Sequence, residues 1–116
     1  AVANILLIFA DTGTTVEGAG KVVVGGGRPE RYALHPNIPN PFNPSTLIRF
    51  DLPIASDVQL TIYNALGQEV ERLVERAFAP GSHVVEWNAA GHRSGIYFYE
   101  LKADPYRARH KMLLLH

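Results

Sequence analysis

Five histidines, His35, His83, His92, His110 and His116, are the side chains best suited to hold a metal ion, and no two share one element at ligand spacing. Zinc sites commonly draw two ligands from one element at such a spacing, so none is expected. His83 instead alternates with Val85 and Trp87, which predicts a buried, hydrogen-bonded ring. Glu69, Glu71 and Glu75 interleave with Arg72 and Arg76, the pattern of a solvated charged face before that of an acid/base pair. Ser45, Ser56, Ser82 and Ser94 stand in turn contexts, and none occupies a nucleophile elbow. These residue types support no enzyme class, so the expectation is a non-catalytic module without a cofactor.

The remaining chemistry is recognition. Lys111-Met112-Leu113-Leu114-Leu115, just before the final His116, sets four apolar residues behind a cation. If Met112 and Leu114 point into a core, Leu113 and Leu115 point out, making a strand that is apolar on both faces. Edge strands normally carry outward charge to discourage pairing with other chains. Two readings fit: an exposed docking strand with Lys111 as a charged contact, or a strand covered by another element.

The elements that must position these residues are short and evenly spaced. The stretch Pro39 to Thr46, PNPFNPST, admits neither a helix nor a central strand, and its pre-proline residues favour extended conformations. It is expected to run nearly straight along the surface, with Phe42 anchored in the core. After it, Ile48, Phe50 and Leu52 share one strand face, and Val58, Leu60 and Ile62 share the next. Asn64-Ala65-Leu66-Gly67 makes a hairpin connection in which Gly67 takes a positive φ. Glu69 to Glu75 answers it, although VERLVER also fits a turn and a half of helix. Ala79-Pro80-Gly81 turns the chain into His83, Val85 and Trp87, with Val84 and Glu86 opposite. Ile96 to Leu101 is the most aromatic strand, Asp104-Pro105 turns it, and Tyr106 to Leu115 finishes the chain. Six or seven such strands predict an all-β, antiparallel, Greek-key or immunoglobulin-like sandwich.

Ahead of this module, Ile5 to Phe9 and Lys21 to Val24 read as the strands of a hairpin around a Thr/Gly-rich loop, Asp11 to Gly20. A lone hairpin is marginal in water, so it must pack on something: this module, a preceding β-rich domain whose tail it is, or another copy of the chain. Gly25-Gly26-Gly27 then reads as a linker; a phosphate-cradling loop needs a helix start that the stretch to Pro36 does not offer. The boundaries are therefore 1–27 for the hairpin and glycines, 28–46 for the Pro/Asn-rich segment and 47–116 for the sandwich. The chain begins Ala1-Val2-Ala3 with no basic n-region, which suggests a C-terminal piece of a larger protein.

Composition narrows the partners. Eleven basic residues balance eleven acidic ones, so no net field draws the chain to nucleic acid. The absence of cysteine removes disulfides and cysteine-based zinc sites and says nothing about compartment. No apolar run is long enough for a transmembrane helix.

Four stretches in order, PNPFNPST at Pro39 to Thr46, IYNALGQEVERLV at Ile62 to Val74, SGIYFYEL at Ser94 to Leu101 and KMLLLH at Lys111 to His116, resemble one family. They are similar to the C-terminal sorting domain of the type IX (Por) secretion system of Bacteroidetes-type bacteria. The likeness runs from about Tyr32 to His116, and its strength lies in all four stretches appearing together. It implies an immunoglobulin-like domain that carries a covalently joined N-terminal cargo from the periplasm across the outer membrane. It further implies recognition by the secretion machinery, cutting by a sortase-like protease, and a cargo attached to the cell surface or released. The matching positions are Pro39, Asn40, Pro41, Phe42, Asn43 and Pro44, then Gly67, then Gly95, Tyr97 and Tyr99, and finally Lys111, Met112, Leu114 and Leu115. The chain departs from the family at His116, where a basic residue is commoner, and at Asp104-Pro105, where a glycine-like turn is commoner. The hairpin stretches also resemble the immunoglobulin-like part of flagellar hook-capping proteins, a likeness of fold. An alternative from another class is a structural or carbohydrate-binding sandwich, with Trp87, Tyr97 and Tyr99 as an aromatic platform; core packing is the competing use of those rings.

Overall fold

The computed structural model describes residues 14–16 and 28–116, with side chains from residue 28 onward. The strands are β1 (Thr14–Val16), β2 (Ala33–Leu34), β3 (Ser45–Leu52), β4 (Ser56–Asn64), β5 (Glu69–Phe78), β6 (Gly81–Asn88), β7 (Gly95–Ala103) and β8 (Tyr106–Leu114). They form two four-stranded sheets, ordered β1-β6-β3-β2 and β5-β4-β7-β8. This is the predicted all-β, immunoglobulin-like sandwich, because β3 and β6 pair across the intervening β4 and β5. The expected strands Ile5 to Phe9 and Lys21 to Val24, and the triple glycine, lie outside the described residues. Within the stretch expected to be a loop, Thr14–Val16 is a strand, paired parallel with β6 through Val16 opposite Val84. Its β-branched residues suit that role.

Alternation fills the core as predicted. Ile48, Phe50, Leu52, Val58, Leu60, Ile62, Trp87, Tyr99, Leu101, Met112 and Leu114 are fully buried between the sheets. Trp87, Tyr97 and Tyr99 are all core residues, so they form no exposed platform. His83 is buried between the Phe50 and Phe78 rings, at 5.5 and 4.9 Å, and donates from Nε2 to the Ala79 carbonyl at 2.8 Å. Tyr97, near the start of β7, donates its hydroxyl to the Arg93 carbonyl four residues upstream at 2.8 Å. That contact is the tyrosine corner of immunoglobulin-like domains.

Two local patterns differ from simple alternation. Val84, expected to face out, is buried on that face with Leu47, because Ile38 packs over the two of them. In β5, Leu60 pairs with Val74 and Thr61 with Arg72, then Ile62 with Glu71 and Tyr63 with Glu69. Leu73 and Val70 are the extra residues of two β-bulges, and both pack against the core. The bulges break the period of two, which is why VERLVER also fits a helix.

Candidate recognition surface

The ends of the strands sort the motif residues by position. β3 starts where β6 ends, with Ser45 opposite Asn88; β7 starts where β8 ends, with Gly95 opposite Leu114; and Asn64, at the end of β4, faces Tyr97. The Asn64-to-Gly67 turn, the Asn88-to-Ser94 loop, the Pro/Asn segment and the last residues therefore gather at one pole of the sandwich. Residues far apart in sequence become neighbours there.

The Pro/Asn segment does not run straight. Ile38 pairs with Leu47 through bonds of 3.0 and 2.8 Å, so the chain between them loops away from the first sheet and back. Asn37, buried, clamps the base of the loop by donating from Nδ2 to Thr46 Oγ1 at 2.9 Å, while that hydroxyl donates to the Pro39 carbonyl at 2.9 Å. At the tip, Phe42 adds itself to the free edge of β8. Its N–H donates to the Leu113 carbonyl and its carbonyl accepts from the Leu115 N–H, both at 3.0 Å, in a parallel bridge opposite Leu114. Asn40 Oδ1 accepts the Leu113 N–H at 3.0 Å. The Phe42 ring, 2% exposed, lies 5.7 Å from Trp87. Thus two motifs about seventy residues apart form one seam, and each backbone group that the end of β8 turns outward is met.

Around the seam the surface is apolar. Leu115 is 47% exposed, Ile96 is 40% exposed, and Leu113 is half-buried opposite Ile96. On one side lies a shallow groove of about 210 Å³ lined by Asn40, Ile96, Lys111, Met112 and Leu113. On the other is one of about 260 Å³, bounded by Pro39, Pro41, Phe42, Asn43, Leu115 and His116. Lys111 is exposed at the rim. Met112 and Leu114, by contrast, are 1% and 0% exposed and belong to the core, so within Lys111 to Leu115 only Lys111, Leu113 and Leu115 present side chains outward. His116 is tied down, its N–H donating to Ser94 Oγ at 3.0 Å and its ring to the His92 carbonyl.

The other motif residues support this pole from within. Gly67 has φ +83° and its N–H donates to the Asn64 carbonyl at 2.9 Å, while Asn64 Oδ1 accepts from Leu66 and Gln68. Gly95 has φ +150° at the start of β7. Tyr99 donates to the His35 carbonyl at 2.6 Å, and burial raises its phenol pKa, so the hydroxyl stays protonated and serves as a donor. Sequence reasoning missed Ile96 and the Asn37–Thr46 clamp. Ile96 was legible as the residue on the outward phase of its strand; the clamp was not, because it depends on the loop closing. Among the described residues no group of three or more His, Asp or Glu could hold a metal ion.

Among solved structures, PorZ of Porphyromonas gingivalis, described as an essential bacterial surface component of the type-IX secretion system, is similar in fold. The likeness covers 80% of this chain and 13% of PorZ, with a TM-score of 0.51 and 17% identity. No curated protein matches the chain. The family model described as a secretion system C-terminal sorting domain matches residues 38–114, a span that runs from the base of the Pro/Asn loop to the last residue of β8. The chain therefore belongs to the type IX secretion C-terminal sorting domain family.

Proposed function

We propose that this chain acts as a non-catalytic sorting signal whose readable surface is the pole where the Pro/Asn segment and β8 meet. The observation that carries this reading is the seam itself: Phe42 and Asn40 fix Leu113 and Leu115 in place, and Leu115 and Ile96 stay exposed beside Lys111. Exposed apolar side chains on a rigid platform suit docking, since their burial by a partner releases water and little ordering remains to be done. In this reading the outer-membrane secretion machinery engages Lys111, Leu113 and Leu115 after passage through the periplasm. A sortase-like protease then cuts ahead of the sandwich, and the N-terminal cargo is attached to the surface or released. Residues 1–27 form the junction with the cargo. A carbohydrate platform of Trp87, Tyr97 and Tyr99 draws no support from their buried positions.

Deleting Lys111 to His116 is a poor test, because it also strips Met112 and Leu114 from the core. The better experiment fuses the whole chain behind a fluorescent reporter with an export signal, in a type IX-competent host, and introduces Leu113→Gln with Leu115→Gln. Retention of the double variant in the periplasm, with the parent fusion outside the cell, is the expected result. Equal export of both would refute the reading.

A further inference from the structure

Among the described residues, only the last stretch of the β8 edge is occupied, by Phe42 and Asn40. In an antiparallel pair, alternate residues turn their N–H and C=O away from the partner strand. Leu113 does so, since its amide and carbonyl bond to Asn40 and Phe42 and not to β7. Lys111, Arg109 and Arg107 share that phase, and all three are exposed. Their backbone groups face the open edge, with no backbone partner there among the described residues.

Their side chains make a row of one sign on the outer face, spaced about 6.8 Å apart by strand geometry. Arg109 is held by Glu100 at 3.2 Å, with its guanidinium 4.9 Å from the Tyr63 ring. Arg107 and Lys111 make no ion pair among the described residues. Arg107 moreover stands directly opposite Lys102 on β7, a like-charge pair that disfavours the sheet on its own. Charge on an edge strand ordinarily repels other strands. The opposite edge of the same sheet, β5, achieves this with both signs, Arg72 bridging Glu69 and Glu75 at 3.1 and 3.0 Å. Here Glu100 answers Arg109, while Arg107, beside Lys102, and Lys111 have no ion-pair partner among the described residues, so the edge keeps a net positive charge that repels basic strands and attracts acidic ones.

We propose that the β8 edge from Arg107 to Lys111 receives an extended acidic segment of a partner protein as an added strand. Its backbone pairs at Arg109 and Lys111, and carboxylates at alternate positions face Arg107, Arg109 and Lys111. This mode of recognition takes affinity from main-chain bonds and specificity from alternate side chains. The inference rests on the geometry of β8 and not on the sorting reading, and it is tested in solution without export.

The test titrates the isotopically labelled full chain with a short peptide of alternating glutamate and valine, and with a lysine–valine control. Slowed amide exchange at Arg109 and Lys111 is expected with the acidic peptide alone, with Ala108 and Met112 unchanged because they already pair with β7, and with affinity falling as salt rises. Arg109→Pro should weaken binding about tenfold or more while leaving the melting temperature near that of the parent, since its N–H joins no ladder bond. Arg109→Gln, which keeps the N–H, should lose only a few-fold. Equal losses in the two variants, or binding of inorganic phosphate at the same residues with equal affinity, would reduce the row to a simple anion patch and overturn the proposal. Protection of Arg109 and Lys111 in the peptide-free chain, or protection that grows with chain concentration, would overturn it too, because the edge would already be filled.

Discussion

The two poles of the sandwich are built in different ways. At the pole away from the C-terminus, short connections after β3 and β5 cross from one sheet to the other and the one after β7 turns into its neighbour β8, and a groove near that end is lined by Val58 and the charged Asp57, Glu75, Arg76, Lys102 and Asp104. The nearby sheet is fixed by a charged network in which Asp51 accepts from His35 Nε2 at 2.7 Å and Ser82 Oγ at 2.6 Å. At the motif pole, contacts join distant parts of the chain: Leu113 to Asn40, Leu115 to Phe42, His116 to Ser94. The first pole closes the fold and exposes Ile54 singly, whereas the second groups Ile96, Leu113 and Leu115 beside a chain end. This division explains why the family stretches, scattered in sequence, lie together.

Breaking the motif pole should have the largest effect. Phe42→Ala removes a buried ring and the anchor of the seam, and should cost about 3–5 kcal/mol in denaturant unfolding, with early exchange of the Leu115 amide. A loss below about 1 kcal/mol would show that the seam forms without its ring. The charged network comes next: Asp51→Asn should cost about 1.5–3 kcal/mol at neutral pH, the range for hydrogen bonds to an ionised group. Burial alone would raise the Asp51 pKa, but the hydrogen bonds from His35 and Ser82, with the charges of His35 and Arg49, lower it below its ordinary 3.8. Its contribution is thus fully present above that value and is lost as the pH falls through the lower folded one. Acid titration monitored by residue should release the Ser82 and Asp51 region in that window; a loss centred well above 3.8 would contradict the assignment.

Smaller effects sharpen the contrast. A Cβ at Gly67 meets nothing within 4 Å, so Gly67→Val should cost only its backbone strain, about 1 kcal/mol, read as a lowered melting midpoint. Arg72→Ala, on the exposed face of β5, should leave the melt unchanged, since its ion pairs with Glu69 and Glu75 are solvated.

Much of this was legible in the residues. Ile48-Phe50-Leu52, Val58-Leu60-Ile62 and His83-Val85-Trp87 alternate, and period two is what a sheet with one buried face imposes. Gly67 was legible because few other residues accept its φ. The bulges in β5 were not, since an extra residue leaves no mark beyond a broken period. The loop of the Pro/Asn segment was hidden for a different reason: local proline rules favour extension, while its path is set by Ile38 meeting Leu47 and Phe42 meeting β8. Of the terminal stretch, alternation assigned inward Met112 and Leu114 and outward Leu113 and Leu115. That the end of this edge is closed by Phe42 is a long-range fact beyond any local pattern.

The most direct measurement compares the two poles in export. The reporter fusion is made with Leu113→Gln and Leu115→Gln at one pole, and with Ile54→Gln, an exposed apolar residue after β3, at the other. Exposed substitutions such as Leu115→Gln and Ile54→Gln should change stability by no more than about 0.5 kcal/mol, and the melt of each variant fusion verifies that it remains folded. The first fusion is expected to stay in the periplasm and the second to be exported like the parent. Export of both, or retention of both, would contradict this.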